Sequence, residues 1–388
     1  MKHTYGWNKL FSRKTVAAIF MRHEIECDIR EQKINFEFEE QRSVLQYLEK
    51  RMDEIFTSTY KHRCSDECVA KQCGKLFIMD GLWKIVFRHC IAEVQVGGDN
   101  IVKGISLINF PQVCMHSPCG NSLFCLKHRI FEEEEEEENG KESDRITIHM
   151  AGVSRALQTK AKMSIDSILS GEVNAGSEDI TCRKFDPNLG CRKDKGENQR
   201  GHLYSRGYLF LVGPTGHIFS FAPIYRAESL GQVYLFIVGA LYELLQDVAP
   251  EEWEKVFICY DNICQLNRLK AAAEPLPFPE PFDQLWSRVS KIVDGLHIQN
   301  HKDSKCKEKY HPSLYLKSHP TATERNTMAA EQTFSWLAKY KKQLNAMNKS
   351  RQFFFIHRMA VRRNDYLSDC LADNSRPVGG TMRTFKEK

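Results

Sequence analysis

No run of apolar residues in this 388-residue sequence reaches the roughly 18 that a membrane-spanning helix needs. The N-terminal stretch also lacks the apolar segment followed by small residues that marks a secretory signal peptide. We therefore expect an intracellular protein without a membrane partner. Hydrophobic residues make up 42% of the chain and charged residues 27%, which is ordinary for a globular protein with a sizeable core. The net charge of +5 is too small to indicate a partner, since charge acts through its location.

Disulfide bonds are not expected in a reducing compartment, so the clustering of several of the 14 cysteines needs another explanation. Clustered cysteines there more often bind metal, whereas scattered ones are usually small core residues. One cluster has the spacing of a tetrahedral zinc site; its candidate ligands are Cys114, Cys119, Cys125 and His128. A second candidate zinc group has three thiols, Cys64, Cys68 and Cys73, and its fourth ligand is His62, His89 or Cys90. The alternative for both clusters is a reduced loop with free thiols.

Strands and helices alternate along the sequence, which predicts an α/β fold with a mixed sheet flanked by helices. Seven consecutive glutamates, Glu132–Glu138, interrupt this order; like charges of that density repel one another and stay solvated. The predicted regions are an N-terminal helical region (1–62), a first strand with a cysteine-rich zinc-binding region (63–130), an acidic and polar insertion expected to be disordered (131–205), the remainder of the core (206–370) and a disordered tail (371–388). Within the core we expect a helix over 283–293 and one long helix over 323–366.

Two aspartates stand at the ends of apolar strands. Asp80 closes FIMD and Asp261 closes FICYD, and α/β sheets bind ligands at the carboxyl ends of their strands. Glu331 lies near the start of the predicted long helix. Converging carboxylates repel one another unless a cation lies between them, and oxygen-rich sites suit Mg²⁺ or Mn²⁺. The alternative is structural: an aspartate that caps a turn, and a glutamate that complements a helix dipole.

At these residues the sequence resembles the Kyakuja–Dileera–Zisupton transposases, a eukaryotic group with a DDE catalytic core. The matching pieces are FIMDGLWK, ICYDNICQL, DGLHIQNHKDSKC and the helix carrying NTMAAEQTFSWL. The resemblance implies a ribonuclease H-like fold and catalytic acids at Asp80, Asp261 and Glu331 that hold Mg²⁺ or Mn²⁺. It also implies zinc in the cysteine-rich insertion, a DNA partner, action as a homo-oligomer and a nuclear location.

The segment after Asp261 contains His297, His301 and Cys306. The two histidines are spaced to share one face of a helix. They are candidates for a metal site or for contacts to phosphate beside the acids, and the alternative is a set of partly buried polar residues.

Eight basic residues and no acidic residue lie between Glu331 and Asp365. Such a basic stretch could follow a phosphate backbone, with salt-sensitive binding. The candidate DNA contacts are Lys339, Lys341, Lys342, Lys349 and Arg351; the other three are Arg358, Arg362 and Arg363. The alternative is a solvated helix face. Three phenylalanines among them, Phe353–Phe355, are expected in the core rather than as a platform for bases.

Three functions fit these features. The first is metal-dependent DNA strand cleavage and transfer. The second is a domesticated relative that binds DNA or protein through its zinc region without cutting. The third is a zinc-bearing scaffold without a nucleic-acid partner. Salt-insensitive behaviour and no retention on DNA would favour it.

Overall fold

The computed structural model combines helices with a five-stranded mixed sheet, so the predicted α/β class is confirmed. It describes residues 13–34, 41–56, 58–62, 64–90, 117–118, 125, 204–225, 228, 230–319, 326–375 and 377. Over these ranges no helix is both long enough and apolar enough to cross a bilayer. Of the acidic insertion predicted over 131–205, only residues 204 and 205 are described. Of the disordered tail predicted over 371–388, residues 371–375 and 377 are described; the prediction is wrong for Leu371 and Ala372, which end the helix Lys349–Ala372.

The sheet has the spatial order β3-β2-β1-β4-β5. Its strands are β1 (Leu76–Trp83), β2 (Gly207–Val212), β3 (Ile218–Ile224), β4 (Phe257–Cys259) and β5 (Ser290–Ile292). Strands β1, β2 and β3 pair antiparallel, whereas β4 pairs parallel with β1 and β5 parallel with β4. The parallel half therefore places the carboxyl ends of β1, β4 and β5 at one edge.

Helices cover the sheet and extend from it. They are α1 (Arg13–Gln32), α2 (Gln41–Phe56), α3 (Asp66–Ala70), α4 (Leu230–Leu244), α5 (Ile263–Leu266), α6 (Lys270–Ala273), α7 (Leu285–Arg288), α8 (Ser304–Lys309), α9 (Ser313–Ser318), α10 (Ala329–Leu337), α11 (Lys341–Leu344) and α12 (Lys349–Ala372). Short 3-10 helices occupy Pro250–Lys255, Phe282–Gln284, His297–Asn300 and Ala338–Tyr340.

An aromatic core joins the antiparallel half of the sheet to the C-terminal helices. The ring of Phe210 on β2 lies 5.7 Å from that of Phe221 on β3 and 5.7 Å from that of Phe334 on α10. Phe221 in turn contacts Phe353 of α12, at 4.9 Å between ring centres. Phe353 and its neighbour Phe354 are fully buried, so they belong to the core, as expected from the sequence.

Two predicted helices are wrong in their extent. In place of a helix over 283–293, the chain forms the short helix α7 and then strand β5, because the β-branched Ile292 and its neighbours pair with β4. In place of one helix over 323–366, α10 and α12 are separate. Asn348 caps α12 by accepting a hydrogen bond from the Arg351 amide, while Asn345 bonds the backbone of Lys84 and Val86.

Buried ion pairs attach the N-terminal helices to α12. The guanidinium of Arg358 donates to Glu24 at 2.9 Å and to Glu31 at 2.6 Å, both on α1. Asp28, also on α1, accepts from Arg51 of α2 at 2.7 Å. Arg358, Glu24, Asp28 and Arg51 are buried, whereas Glu31 is exposed; for the buried groups, mutual pairing offsets the cost of burying charge.

Candidate active site and metal centres

Three aspartates occupy corresponding positions along three adjacent parallel segments: one lies within β1, and the other two lie just after the ends of β4 and β5. Ile78 of β1 pairs with Cys259 of β4, and Cys259 pairs with Ile292 of β5. The residues two positions further along each strand direction are Asp80, Asp261 and Asp294. Parallel pairing therefore brings them to one level at the carboxyl edge of the sheet.

Glu331 reaches the same place from helix α10. Asp80 lies opposite Phe210 in the β1–β2 register, and residues opposite each other project from the same face. The Phe210 ring contacts Phe334 of α10, so α10 covers that face. Glu331 is three residues before Phe334 and shares its side of the helix. The packing of α10 thus sets Glu331 above the aspartates.

One cavity receives all of these acids. Its lining includes Asp80, Asp261, Asp294, His297 and Glu331, together with Thr327 and apolar or aromatic residues of β1 and the β4 segment, Ile78, Met79, Cys259 and Tyr260. Asp261 Oδ1 and Glu331 Oε2 are buried and have no hydrogen-bond partner among the described residues. Buried carboxylate oxygens without partners are costly, and a bound cation would satisfy them.

The electrostatics of the cavity disfavour ionised carboxylates in the absence of a cation. Burial, with the neighbouring charges of Glu331 and Asp261, raises the pKa of Asp80 to about 7, although the Gly81 amide opposes this by donating to Asp80 Oδ1 at 2.7 Å. Burial also raises the pKa of Asp261 and of Glu331. Perturbed groups of this kind, gathered in one cleft, are typical of functional sites.

Asp294 was not among the acids predicted from the sequence. Its Oδ1 accepts from the amides of Leu296 and His297 at 2.8 and 3.0 Å, and its Oδ2 meets His297 Nδ1 at 2.5 Å. Burial alone would lower the pKa of His297, but this bond to Asp294 raises it above the ordinary value. The signal that could have revealed Asp294 is a third apolar stretch ending in aspartate, KIVD, after FIMD and FICYD.

The candidate zinc group of Cys64, Cys68 and Cys73 has His62 as its fourth member. His62 Nε2 lies 3.5 Å from the sulfur of Cys64 and 3.3 Å from those of Cys68 and Cys73. Zinc–sulfur bonds of about 2.3 Å and a zinc–nitrogen bond of about 2.0 Å at the tetrahedral angle put nitrogen and sulfur about 3.5 Å apart. The group could therefore hold a zinc ion with little movement, and of the three alternatives for the fourth ligand the geometry favours His62.

The thiols of this centre do not ionise independently. The hydrogen bond from Cys73, together with His62, lowers the pKa of Cys68 to about 5. The same contact with Cys68 raises the pKa of Cys73, and burial raises that of Cys64. Three thiolates this close repel one another, and a divalent cation is what allows all three to be deprotonated together.

The three residues predicted near the site separate into two places. His297 lines the carboxylate cavity, whereas His301 and Cys306 lie behind Asp261 with Cys264, which the sequence did not single out. His301 Nδ1 is 2.9 Å from the sulfur of Cys306 and 3.6 Å from that of Cys264. The three side chains could hold a metal ion. Of the other predicted zinc cluster, only the buried Cys125 is described; Cys114, Cys119 and His128 lie outside the described residues.

The predicted DNA contacts are only partly available. Lys339, Lys342 and Arg351 are exposed and Lys341 is half-buried. Lys349 is only 1% exposed, and its ammonium lies over the ring of Phe87 at 5.4 Å, so the prediction that it contacts DNA is wrong for this conformation.

The other three basic residues also have partners inside the protein. Arg358 is buried against acids of α1, Arg362 lies 3.7 Å from Glu24, and Arg363 covers the ring of Trp336 at 4.5 Å. Arg362 is nevertheless 49% exposed. Of the eight basic residues, those that remain open to a phosphate backbone are therefore Lys339, Lys341, Lys342, Arg351 and Arg362.

Comparison with family models, with curated proteins and with solved structures finds no match to this chain. The basis for a function is accordingly the geometry of the carboxylate cavity and of the two Cys/His groups.

Proposed function

We propose that this protein is a DDE transposase-like enzyme that cleaves and transfers DNA strands with two divalent cations, Mg²⁺ or Mn²⁺. The observation that carries the proposal is the convergence of Asp80, Asp261 and Glu331 on one cavity. These residues are 181 and 70 positions apart in sequence. A structural role for each, as a turn or a cap, gives no reason for them to meet.

The acids have distinct tasks in this proposal. Bound cations would activate the attacking oxygen and stabilise the leaving oxygen of a phosphodiester displacement. The carboxylate of Asp80 interacts electrostatically with both Glu331 and Asp261, and it would hold the cations together with them, as the resemblance implies. Asp261 and Glu331 each offer a buried oxygen without a partner to one ion.

Asp294 and His297 extend this set. The carboxylate of Asp294 accepts from the His297 ring and from two backbone amides, so it holds the imidazole at the rim of the cavity. The raised pKa of His297 extends the pH range over which the ring is protonated, and a protonated ring would place a positive charge beside a bound phosphate. His297 is therefore our candidate for a phosphate contact or a proton donor.

Two further observations favour a nucleic-acid substrate over another phosphate ester. The mixed five-stranded sheet, with three antiparallel strands followed by two parallel ones, is compatible with the ribonuclease H-like fold that the resemblance implies. The basic residues Lys339, Lys342 and Arg351 follow α10, the helix that carries Glu331, and they are exposed. A positive surface that continues from the acids is what a DNA backbone requires.

The test combines Mn²⁺ binding with DNA cleavage. Wild-type protein should bind Mn²⁺, measured by electron paramagnetic resonance, and nick supercoiled plasmid in Mg²⁺ or Mn²⁺. Asp261→Ala and Glu331→Gln should each abolish nicking and weaken Mn²⁺ binding. Asp247→Ala, which removes a carboxylate that is 85% exposed, serves as the control and should leave both unchanged.

Two outcomes contradict the proposal. If wild-type protein binds no Mn²⁺, or if Asp261→Ala binds it equally well, the carboxylates are not a cation site. If Mn²⁺ binds and DNA is retained but never cut, the domesticated relative is the better description.

A further inference from the structure

We propose that Cys264, His301 and Cys306 form a second zinc site, and that this site positions the candidate catalytic Asp261. The metal site itself does not depend on the proposed function; the positioning of Asp261 rests on it. The three side chains come from α5, from the end of a 3-10 helix and from α8, and their ligand atoms all lie within 4.8 Å of one another.

The tautomer of His301 leaves its Nδ1 atom, which faces the two sulfurs, available as a metal ligand. His301 Nε2 lies 3.0 Å from the backbone carbonyl oxygen of Asp261, and a carbonyl can only accept, so Nε2 carries the hydrogen. In the neutral ring Nδ1 then has a free lone pair, which faces the two sulfurs. A metal-bound histidine usually donates its other N–H to a carbonyl or carboxylate in this way. Here that carbonyl belongs to a candidate catalytic residue.

The chemistry of the donors selects zinc over the cations of the carboxylate cavity. Two thiolates and an imidazole are soft or borderline ligands, whereas Mg²⁺ requires oxygen. His301 Nδ1 and the Cys264 sulfur are 3.6 Å apart, close to the roughly 3.5 Å expected across a tetrahedral zinc. The Cys306 sulfur, now 2.9 Å from Nδ1, would move away by roughly half an ångström, and water would complete the tetrahedron.

The surroundings hold the ligands in place from both sides. Arg268, just after α5, donates to Asp303 at 2.9 Å, and Asp303 caps α8, which carries Cys306. The Asn267 side chain donates to the Tyr310 hydroxyl at 3.0 Å, across the same two segments. The segment that follows Asp261 is thereby fixed to the segment that follows Asp294. Zinc would lock this arrangement and, through His301, the backbone of Asp261.

Bound zinc in purified full-length protein gives the first test. Cys264→Ser and Cys306→Ser should each lose one equivalent of zinc, and the double variant should also lose one equivalent, because both thiols serve the same ion. Cys68→Ser should lose a different equivalent, so Cys68→Ser combined with Cys306→Ser loses two. Cys370→Ser removes a buried thiol outside both groups and should lose none. Unchanged zinc content in Cys264→Ser and Cys306→Ser overturns the site.

A second measurement uses only the wild-type protein and so does not depend on whether a variant folds. Crystals of the wild-type protein should show zinc anomalous scattering between the Cys264, His301 and Cys306 side chains, and its absence when zinc has been supplied contradicts the proposal. The positioning role predicts that Cys306→Ser weakens Mn²⁺ binding by about tenfold, a typical effect of an outer-shell residue. An unchanged Mn²⁺ affinity after zinc loss refutes positioning only. Wild-type protein that binds zinc but no Mn²⁺ refutes the proposed function and leaves this zinc site standing.

Discussion

Asp80 on β1 and Asp261, just after β4, each lie two residues beyond the paired residues Ile78 and Cys259 of these neighbouring parallel strands. This register makes the two carboxylates face one cavity and repel each other whenever both are ionised. The repulsion is part of why the pKa of Asp80 is raised, after the effect of burial. Ionised together, these buried carboxylates destabilise the folded protein.

The first prediction is that Asp80→Asn stabilises the protein at pH 8 in buffer without added Mg²⁺ or Mn²⁺. The pKa of Asp80 is about 7 in the folded chain against an ordinary value of 3.8, so the folded state binds the proton more tightly. Its contribution is fully favourable below about pH 4 and is lost as the pH rises towards 7. Discounted for partial exposure, the gain from Asp80→Asn should grow from near zero at pH 4 to on the order of 2 kcal/mol at pH 8.

Urea denaturation at several pH values measures this difference. Asp247→Asn is the control, since that exposed carboxylate should give a difference near zero at every pH. Adding Mn²⁺ should shrink or reverse the gain, because only the wild type keeps the full set of acids. A gain that does not vary with pH would show that Asp80 does not carry the raised pKa.

The second prediction concerns the zinc centre at His62. Cys68→Ser should lose one zinc and destabilise the fold by at least about 3 kcal/mol, because structural zinc contributes its binding energy to folding. The destabilisation should extend beyond the segment that carries the cysteines. The His62 ring stacks on His217 at 3.7 Å and so connects the centre to the turn between β2 and β3. Zinc analysis and thermal melting measure the two effects.

Cys27→Ser is the matched control for that variant. Its sulfur has a histidine neighbour, His23, at 3.6 Å, but it belongs to neither Cys/His group of the described residues. It should keep its zinc and lose little stability. Equal zinc content in Cys68→Ser and Cys27→Ser would mean that the cluster at His62 is a set of free thiols.

The third prediction compares two arginines on α12 that face the same acids. Arg358 is 3% exposed and donates to the buried Glu24 and to the more exposed Glu31. Arg358→Ala therefore leaves the Glu24 carboxylate without its hydrogen-bond donor, with only the longer contact to Arg362, and should cost about 3 kcal/mol. Arg362 is 49% exposed and lies 3.7 Å or more from the same carboxylates, so Arg362→Ala should cost about 0.5 kcal/mol or less. Chemical denaturation of both variants checks the contrast, and similar losses would count against it.

The parts of the site that could be predicted are those set by residues close together in sequence. Asp80 and Asp261 end the short apolar stretches FIMD and FICYD, which are visible in the sequence. The structure brings both aspartates to the cavity with Glu331. Asp294 was missed because β5 is only three residues long, and its extended form comes from pairing with β4 rather than from its own composition. The surrounding segment therefore resembled a helix.

Long-range partners were the part that the sequence could not supply. Cys264 joins His301 only because α5 and the segment after β5 pack together, and no spacing pattern links residues 37 positions apart. The basic stretch after Glu331 shows the same limit. Counting charges could not reveal that Arg358 pairs with acids more than 300 residues earlier, or that Lys349 is enclosed by aromatic rings.

The last prediction separates basic residues that can contact DNA from those that cannot. A variant with Lys339, Lys342 and Arg351 all changed to Gln should bind duplex DNA more weakly, and its affinity should depend less on salt. Each lost phosphate contact lowers the slope of log affinity against log salt by about 0.9. The control changes three other exposed lysines, Lys33, Lys50 and Lys317, to Gln, which alters net charge equally. If the salt slope falls equally in both variants, DNA binding depends on overall charge and not on this surface.

Lys349→Gln should lower the melting temperature and leave the salt slope of the folded protein unchanged, since the Lys349 ammonium is buried over Phe87.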